Sequence, residues 1–173
     1  MAPSKMGIRR NFVYSFLSSC GYTSISEINT DTLKDYVRYL HENFAFDPTR
    51  YHEYKGCLNS VILAYIKYTN HPLSRIQTSD NTDKHTCIVF LYAYGIKDLL
   101  SVTADVRREF DEYTRIFAPK RHPSYLDTFD KMVISALEST KLVKKPAYKD
   151  CLMYIGYYPD IHVLNELKPV FDT

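Results

Sequence analysis

The sequence contains no tryptophan, only five glycines and no long apolar run. Its longest apolar stretches, such as residues 87–91, are far shorter than the roughly 20 residues that a membrane-spanning helix needs. No basic segment followed by an apolar one at Met1 marks a signal peptide. The scarcity of glycine favours helices over tightly turning backbone. We therefore expect a soluble, helical, intracellular protein without a membrane partner, located in the cytoplasm or the nucleus.

Motifs for metal binding, cofactor binding and catalysis are also missing. The four cysteines lie far apart, without a Cys-x-x-Cys pair or a histidine at metal-ligand spacing, so we predict reduced thiols and no metal site. The chain has no Gly-rich phosphate loop, no His-Glu-x-x-His helix and no Gly-x-Ser-x-Gly elbow. We expect no cofactor and no enzymatic activity.

Charged residues offer no catalytic constellation either. The net charge of +2 is spread evenly along the chain, so charge alone does not indicate a nucleic-acid-binding protein. The carboxylate pairs Asp111-Glu112 and Asp127-Asp130 are expected on solvated helix faces. His52 and His122 stand beside predicted helix starts, where a histidine is more often a surface or capping residue than a catalytic base.

A faint internal repeat is the most informative feature present. Phe16-Leu17 and Gly21 recur as Phe90-Leu91 and Gly95, an offset of 74 residues, and conservative matches continue through the helix that follows each copy. Leu33 opposite Arg107 and Val37 opposite Asp111 break the pattern. The repeat predicts an all-α fold of two small helical-bundle modules. We place them at residues 1–76 and 84–173, the second with a C-terminal extension, on either side of a polar linker.

Apolar spacing and capping residues predict the individual helices. In the second helix, four apolar residues follow the spacing i, i+3, i+4, i+7, namely Leu33, Tyr36, Val37 and Leu40. Asp47-Pro48 opens a third helix, expected to continue to about Tyr68 with an apolar face of Tyr54, Leu58, Val61 and Tyr65. The remaining helices are expected over residues 8–20, 84–94, 103–117 and 124–142.

Residues 25–40 and the helix that follows them resemble a known family. The helix start Ile28-Asn29-Thr30-Asp31, then Pro48-Thr49, then a helix closing at Asn70-His71-Pro72 resemble the N-terminal core-binding domain of tyrosine recombinases, the phage-integrase family. The second module resembles a more divergent copy. The resemblance implies a SAM-like helical bundle that clasps DNA. The family's catalytic domain is missing, which implies an accessory protein or a recombinase derivative that does not cut DNA.

A basic track on both modules is the predicted duplex DNA interface. On the third helix His52, Lys55 and Asn59 are expected to share an exposed face, where Lys attracts phosphates and Asn can read adenine edges. The other predicted contacts are basic side chains, namely Arg9, Arg10, Arg50, Lys67, Lys120, Arg121 and Lys131. The same pattern also fits an ordinary solvated helix face.

Protein binding is the alternative that the sequence leaves open. Tyrosine is abundant and is enriched at the centres of protein interfaces. Tyr154, Tyr157 and Tyr158 form an aromatic cluster near the C-terminus that could contact a protein partner or a second copy of the chain. Salt separates the two hypotheses, because phosphate contacts weaken steeply with ionic strength and a dry aromatic interface does not.

Overall fold

The fold is all-α, as predicted. The computed structural model describes residues 5–76, 78 and 81–139, and within these ranges it contains α-helices and short 3₁₀ helices but no strand. The seven α-helices are α1 Lys5–Ser19, α2 Thr30–Phe44, α3 Pro48–Lys55, α4 Cys57–Tyr68, α5 Thr82–Tyr94, α6 Ala104–Phe117 and α7 His122–Ser139. The 3₁₀ helices cover Ile25–Glu27, Pro72–Arg75 and Leu99–Ser101.

The chain divides into two compact units, and the division falls between Gly95 and Ile96. The first unit therefore contains α1 to α5, and the second contains α6 and α7. This differs from the sequence-based division at residues 77–83, which placed α5 in the second module. The reason is packing, because α5 contacts α2 and α4 of the first unit.

The first unit is organised around α2 and α5. The side chain of Asn29 accepts a hydrogen bond from the Thr32 N–H (3.1 Å), and the Thr32 hydroxyl accepts one from the Asn29 N–H (3.1 Å), which together form a capping box. All four apolar residues predicted for the α2 face are buried. Residues 87–91 of α5 are buried consecutively, so this helix is enclosed on several sides, as expected for a helix that is apolar all round.

The predicted third helix is two helices. Gly56 separates α3 from α4, and its missing side chain makes a continuous helix less favourable. The hydroxyl of Tyr36 donates a hydrogen bond to the Tyr54 carbonyl (2.7 Å) just before the break. The predicted apolar face was wrong in consequence. Of its members only Leu58 is buried, and the buried apolar face of α4 continues through Ile62 and Ile66.

The second unit packs α6 against α7. The rings of Phe110 and Phe129 are stacked with their centroids 4.6 Å apart. The other apolar positions predicted for α6, Val106, Tyr113 and Phe117, are buried as expected. α7 begins at His122 rather than Ser124 and is described as far as Ser139.

Local structure recurs at the offset of the sequence repeat. Gly21 and Gly95 both adopt positive φ angles, of 84° and 96°. Each is followed by a 3₁₀ helix, and the helix after it is capped by a side chain, that of Asn29 in the first copy and Thr103 in the second. The duplication of a whole module remains a prediction, because α5 packs in the first unit while the helix that follows it lies in the second.

Candidate nucleic-acid interface

A basic group of the first unit combines α1 with α3. The guanidinium of Arg9 on α1 lies 3.4 Å from the carboxylate of Glu53 on α3. Arg10, the next residue, is exposed and makes no ion pair within the described residues. The contact between Arg9 and Glu53 therefore places Arg9 beside α3, and Arg10 follows it on the same turn of α1.

The basic residues of α3 point in different directions. Arg50 and His52 are exposed, but residues two apart do not face each other on a helix. The Arg50 guanidinium lies 3.5 Å from the carboxylate of Asp47, which also accepts the Arg50 N–H (3.1 Å) and so caps the helix. Arg50 and His52 thus lie on different sides of α3.

Lys55 is held against an aromatic ring. Its ammonium group lies 5.8 Å from the centroid of Tyr51, whose hydroxyl is hydrogen-bonded to the Nε2 of His41 (3.2 Å). Burial raises the pKa of Tyr51, so the phenol stays protonated at neutral pH. The ring is therefore a neutral support for the cation, which is half-buried rather than free in solvent.

Asn59 does not belong to this surface, contrary to the sequence-based prediction. Its side chain is 8% exposed, and its amide donates a hydrogen bond to the hydroxyl of Thr86 on α5 (3.3 Å). The predicted face required one continuous helix from α3 into α4. The break at Gly56 excludes such a helix. Asn59 joins two helices of the core and has no access to a base edge.

The other predicted contacts belong to α4 and to the second unit. Lys67 is exposed in the last turn of α4, on the other side of the helix break at Gly56 from Lys55. Lys120, Arg121 and Lys131 belong to the second unit and are exposed. Lys131 forms an ion pair with Asp127 at 2.8 Å. The guanidinium of Arg121 lies over the Tyr125 ring, 5.3 Å from its centroid.

Two polar contacts in the second unit escaped the sequence analysis. The guanidinium of Arg107 donates two hydrogen bonds, of 2.6 and 2.7 Å, to the carboxylate of Asp130, and both side chains are buried. His122 is also buried, and its Nε2 contacts the carboxylate of Asp111. The expectation that Asp130 lies on a solvated face and His122 at the surface was therefore wrong.

Mismatches in the internal repeat indicate the positions of these two polar contacts. At an offset of 74 residues, Arg107 and Asp111 match Leu33 and Val37, both of which are buried in α2. A charged residue at a position that is buried in the other copy requires a polar partner. The mismatches in the repeat thus mark the positions where α6 makes polar contacts and α2 has buried apolar side chains.

The described side chains include one thiol with a shifted pKa and no metal-binding group. Burial raises the pKa of the Cys57 thiol, which donates a hydrogen bond to the Glu53 carbonyl (3.3 Å); the charge of Arg9 lowers this pKa and that of Glu53 raises it. Groups of three or more His, Cys, Asp or Glu side chains able to hold a metal ion do not occur in residues 5–76 and 81–139. Within the same ranges no helix is long and apolar enough to cross a membrane.

Two aromatic side chains of the first unit are strongly exposed. Phe46, between α2 and α3, is 101% exposed, and Tyr68, the last residue of α4, is 88% exposed. Tyr154, Tyr157 and Tyr158, the aromatic cluster predicted from the sequence, lie outside the described residues. Phe46 and Tyr68 are thus the described candidates for an aromatic contact surface, and the sequence pattern predicted neither as one.

Comparison with known proteins found no match. No protein-family model matches the chain, and neither a curated protein nor a solved structure matches it.

Proposed function

We propose that this chain binds duplex DNA without cutting or rejoining it, as an accessory to a site-specific recombinase or a protein derived from one. The observation that carries the proposal is the contact between Arg9 and Glu53, which places one basic turn of α1 beside the helix that carries Arg50, His52 and Lys55. We call this group, made of Arg9, Arg10, Arg50, His52 and Lys55, the α1–α3 surface. The recombinase relationship rests on the sequence resemblance.

Ion pairs on this surface do not prevent phosphate binding. Arg9 and Arg50 each face one carboxylate, and all four side chains are at least one-third exposed. Exposed ion pairs contribute about 0–1 kcal/mol, so exchanging a carboxylate for a phosphate costs little. Arg10 carries no such pair within the described residues and supplies the first contact. With Asn59 buried, the surface recognises the DNA backbone rather than base sequence.

Salt dependence tests the proposal. We expect the affinity for a random-sequence duplex to fall with salt at a log–log slope of about −3.6, which corresponds to about four neutralised phosphates. Replacing Arg10, Arg50 and Lys55 together by Gln should flatten the slope by about 2.7 units. Fluorescence anisotropy over a salt series measures both quantities, and incubation with supercoiled plasmid checks that no strand is cut.

A variant with the same loss of charge is the matched control. Arg38, Lys97 and Arg108 are exposed and lie outside the α1–α3 surface, so their replacement by Gln should leave the slope almost unchanged. The proposal fails if the wild-type chain does not bind duplex at low salt, or if the two triple variants lose affinity equally.

Protein binding is the second candidate function, and the exposure of Phe46 favours it. A fully exposed phenylalanine is a typical anchor for a pocket on a partner protein. Asp47 follows Phe46 directly and Glu42 precedes it by four residues, so the neighbourhood does not favour a polyanion. If duplex binding is absent, or is insensitive to salt, Phe46 becomes the residue to replace in a search for protein partners.

A further inference from the structure

The end of α4 and the 3₁₀ helix that follows it combine an exposed aromatic ring with positive charge. Tyr68 closes α4 and is 88% exposed. Lys67 stands beside it in the last turn of α4, and Arg75 ends the 3₁₀ helix Pro72–Arg75, which packs against α4. Lys67 and Arg75 are exposed and form no ion pair within the described part of the chain. We call Lys67, Tyr68 and Arg75 the α4 corner.

Acidic residues are missing from this part of the sequence. None occurs between Glu53 and Asp80, whereas Lys55, Lys67 and Arg75 all fall in that interval. Phe46, which is also strongly exposed, has acidic residues close by in sequence. Charge therefore distinguishes the two aromatic residues, and the sequence around Tyr68 suits an anionic ligand better than the sequence around Phe46.

The backbone of the α4 corner is fixed by local contacts. The Nδ1 of His71 accepts a hydrogen bond from the Leu73 N–H (3.1 Å), and its ring lies edge-on to Tyr92 with the centroids 5.3 Å apart. The Tyr92 hydroxyl in turn donates to the Ile25 carbonyl (3.4 Å). The Thr69 hydroxyl donates a hydrogen bond to the Tyr65 carbonyl (2.8 Å). The exposed Tyr68 ring is thus carried by a hydrogen-bonded part of the backbone.

We propose that the α4 corner binds single-stranded nucleic acid, with an unpaired base stacked on Tyr68 and the backbone phosphates held by Lys67 and Arg75. A tyrosine ring can stack on any base, so this recognition is independent of sequence. In an intact duplex the faces of the bases are covered by their neighbours, so the ring selects unpaired bases. This site is separate from the α1–α3 surface, and the inference does not depend on duplex binding.

Fluorescence anisotropy with oligothymidylate and oligouridylate of about 12 nucleotides tests the proposal, and the two oligomers show whether DNA or RNA is preferred. We expect Tyr68→Ala to weaken binding about tenfold and Tyr68→Trp to preserve it, because base stacking needs an aromatic ring. Replacing Lys67 and Arg75 by Gln should flatten the salt slope by about 1.4 units, at about 0.7 for each cation on a single strand.

Phe46→Ala is the matched control, since it removes an aromatic ring that is also strongly exposed but lies beside acidic residues. No binding of either oligomer overturns the proposal, and so does an equal loss from Tyr68→Ala and Phe46→Ala. Duplex binding is measured in parallel. A chain that binds duplex but neither oligomer refutes this inference alone, and a chain that binds the oligomers but not duplex refutes the proposed function alone.

Discussion

Asp111 makes the stability of the second unit depend on pH. Burial by itself would raise the pKa of this carboxyl, but hydrogen bonds from His122 and Arg115, with the positive charges of both, lower the pKa below its ordinary value. The Arg115 bond is 2.8 Å long. A carboxyl whose pKa is lower in the folded state stabilises the fold above its unfolded pKa, near 3.9. That stabilisation is lost as pH falls through the folded-state value.

We therefore predict that Asp111→Asn lowers the free energy of unfolding by about 1 kcal/mol near pH 7, and by progressively less below about pH 4. Urea unfolding at several pH values measures the difference. Glu112→Gln is the control, because Glu112 is exposed on the same helix. A loss that is the same at pH 3 and pH 7 would show that the carboxylate charge plays no part.

Polar residues were harder to place from the sequence than apolar ones. Leu33, Tyr36, Val37 and Leu40 are buried as their spacing predicts, because each needs only an apolar environment. Arg107 is buried because Asp130, which lies 23 residues away in sequence, meets it when α6 packs on α7. No local pattern indicates such a partner, so an isolated charge is assigned to solvent by default.

At the scale of the helices, Gly56 explains the largest error of the sequence analysis. A single helical wheel over residues 48–68 placed Val61 in the core and Asn59 outside. Leu58, Ile62 and Ile66 form an i, i+4, i+8 series that indicates the buried face of α4 by itself. The break could not be predicted with confidence, since glycine is tolerated inside helices at a cost of only about 1 kcal/mol.

Two glycines of the first unit should respond in opposite ways to replacement by alanine. Gly56 has a φ of −84°, which alanine adopts readily, and an added Cβ has nothing within 4 Å. Gly56→Ala should therefore stabilise the chain by about 0.4–1 kcal/mol, by reducing the freedom of the unfolded state. Gly21 has a φ of 84°, so Gly21→Ala should destabilise it by about 1–2 kcal/mol.

Gly21 owes its conformation to the end of α1. The N–H of Tyr22 donates to the Leu17 carbonyl (3.1 Å) and that of Gly21 donates to the Ser18 carbonyl (3.0 Å), the pattern of a Schellman motif. An added Cβ at Gly21 has open space around it, as at Gly56, so the comparison isolates the backbone angle. Thermal melts of both variants that shift in the same direction would contradict this account.

At the scale of the whole molecule, local repetition and compact packing divide the chain differently. The repeat groups α5 with α6, because both copies run from a helix through a glycine and a 3₁₀ helix to a capped helix. Packing groups α5 with α2 and α4. Composition indicated a linker at residues 77–83, but only tertiary contacts determine which side of a linker a helix joins. The two divisions therefore differ in which unit holds α5, while the helices themselves are common to both.

Truncation distinguishes the two divisions. We predict that residues 1–95 fold cooperatively and that residues 1–76 do not, because the shorter chain lacks α5. Four consecutive side chains of α5, those of residues 88–91, are at most 2% exposed. At about 1.5–3 kcal/mol for each buried side chain, their loss removes about 6–12 kcal/mol, comparable with the whole stability of a small domain. Circular dichroism melts and urea titrations of the two fragments measure this. A cooperative transition in residues 1–76, with the same midpoint as in residues 1–95, would support the sequence-based boundary instead.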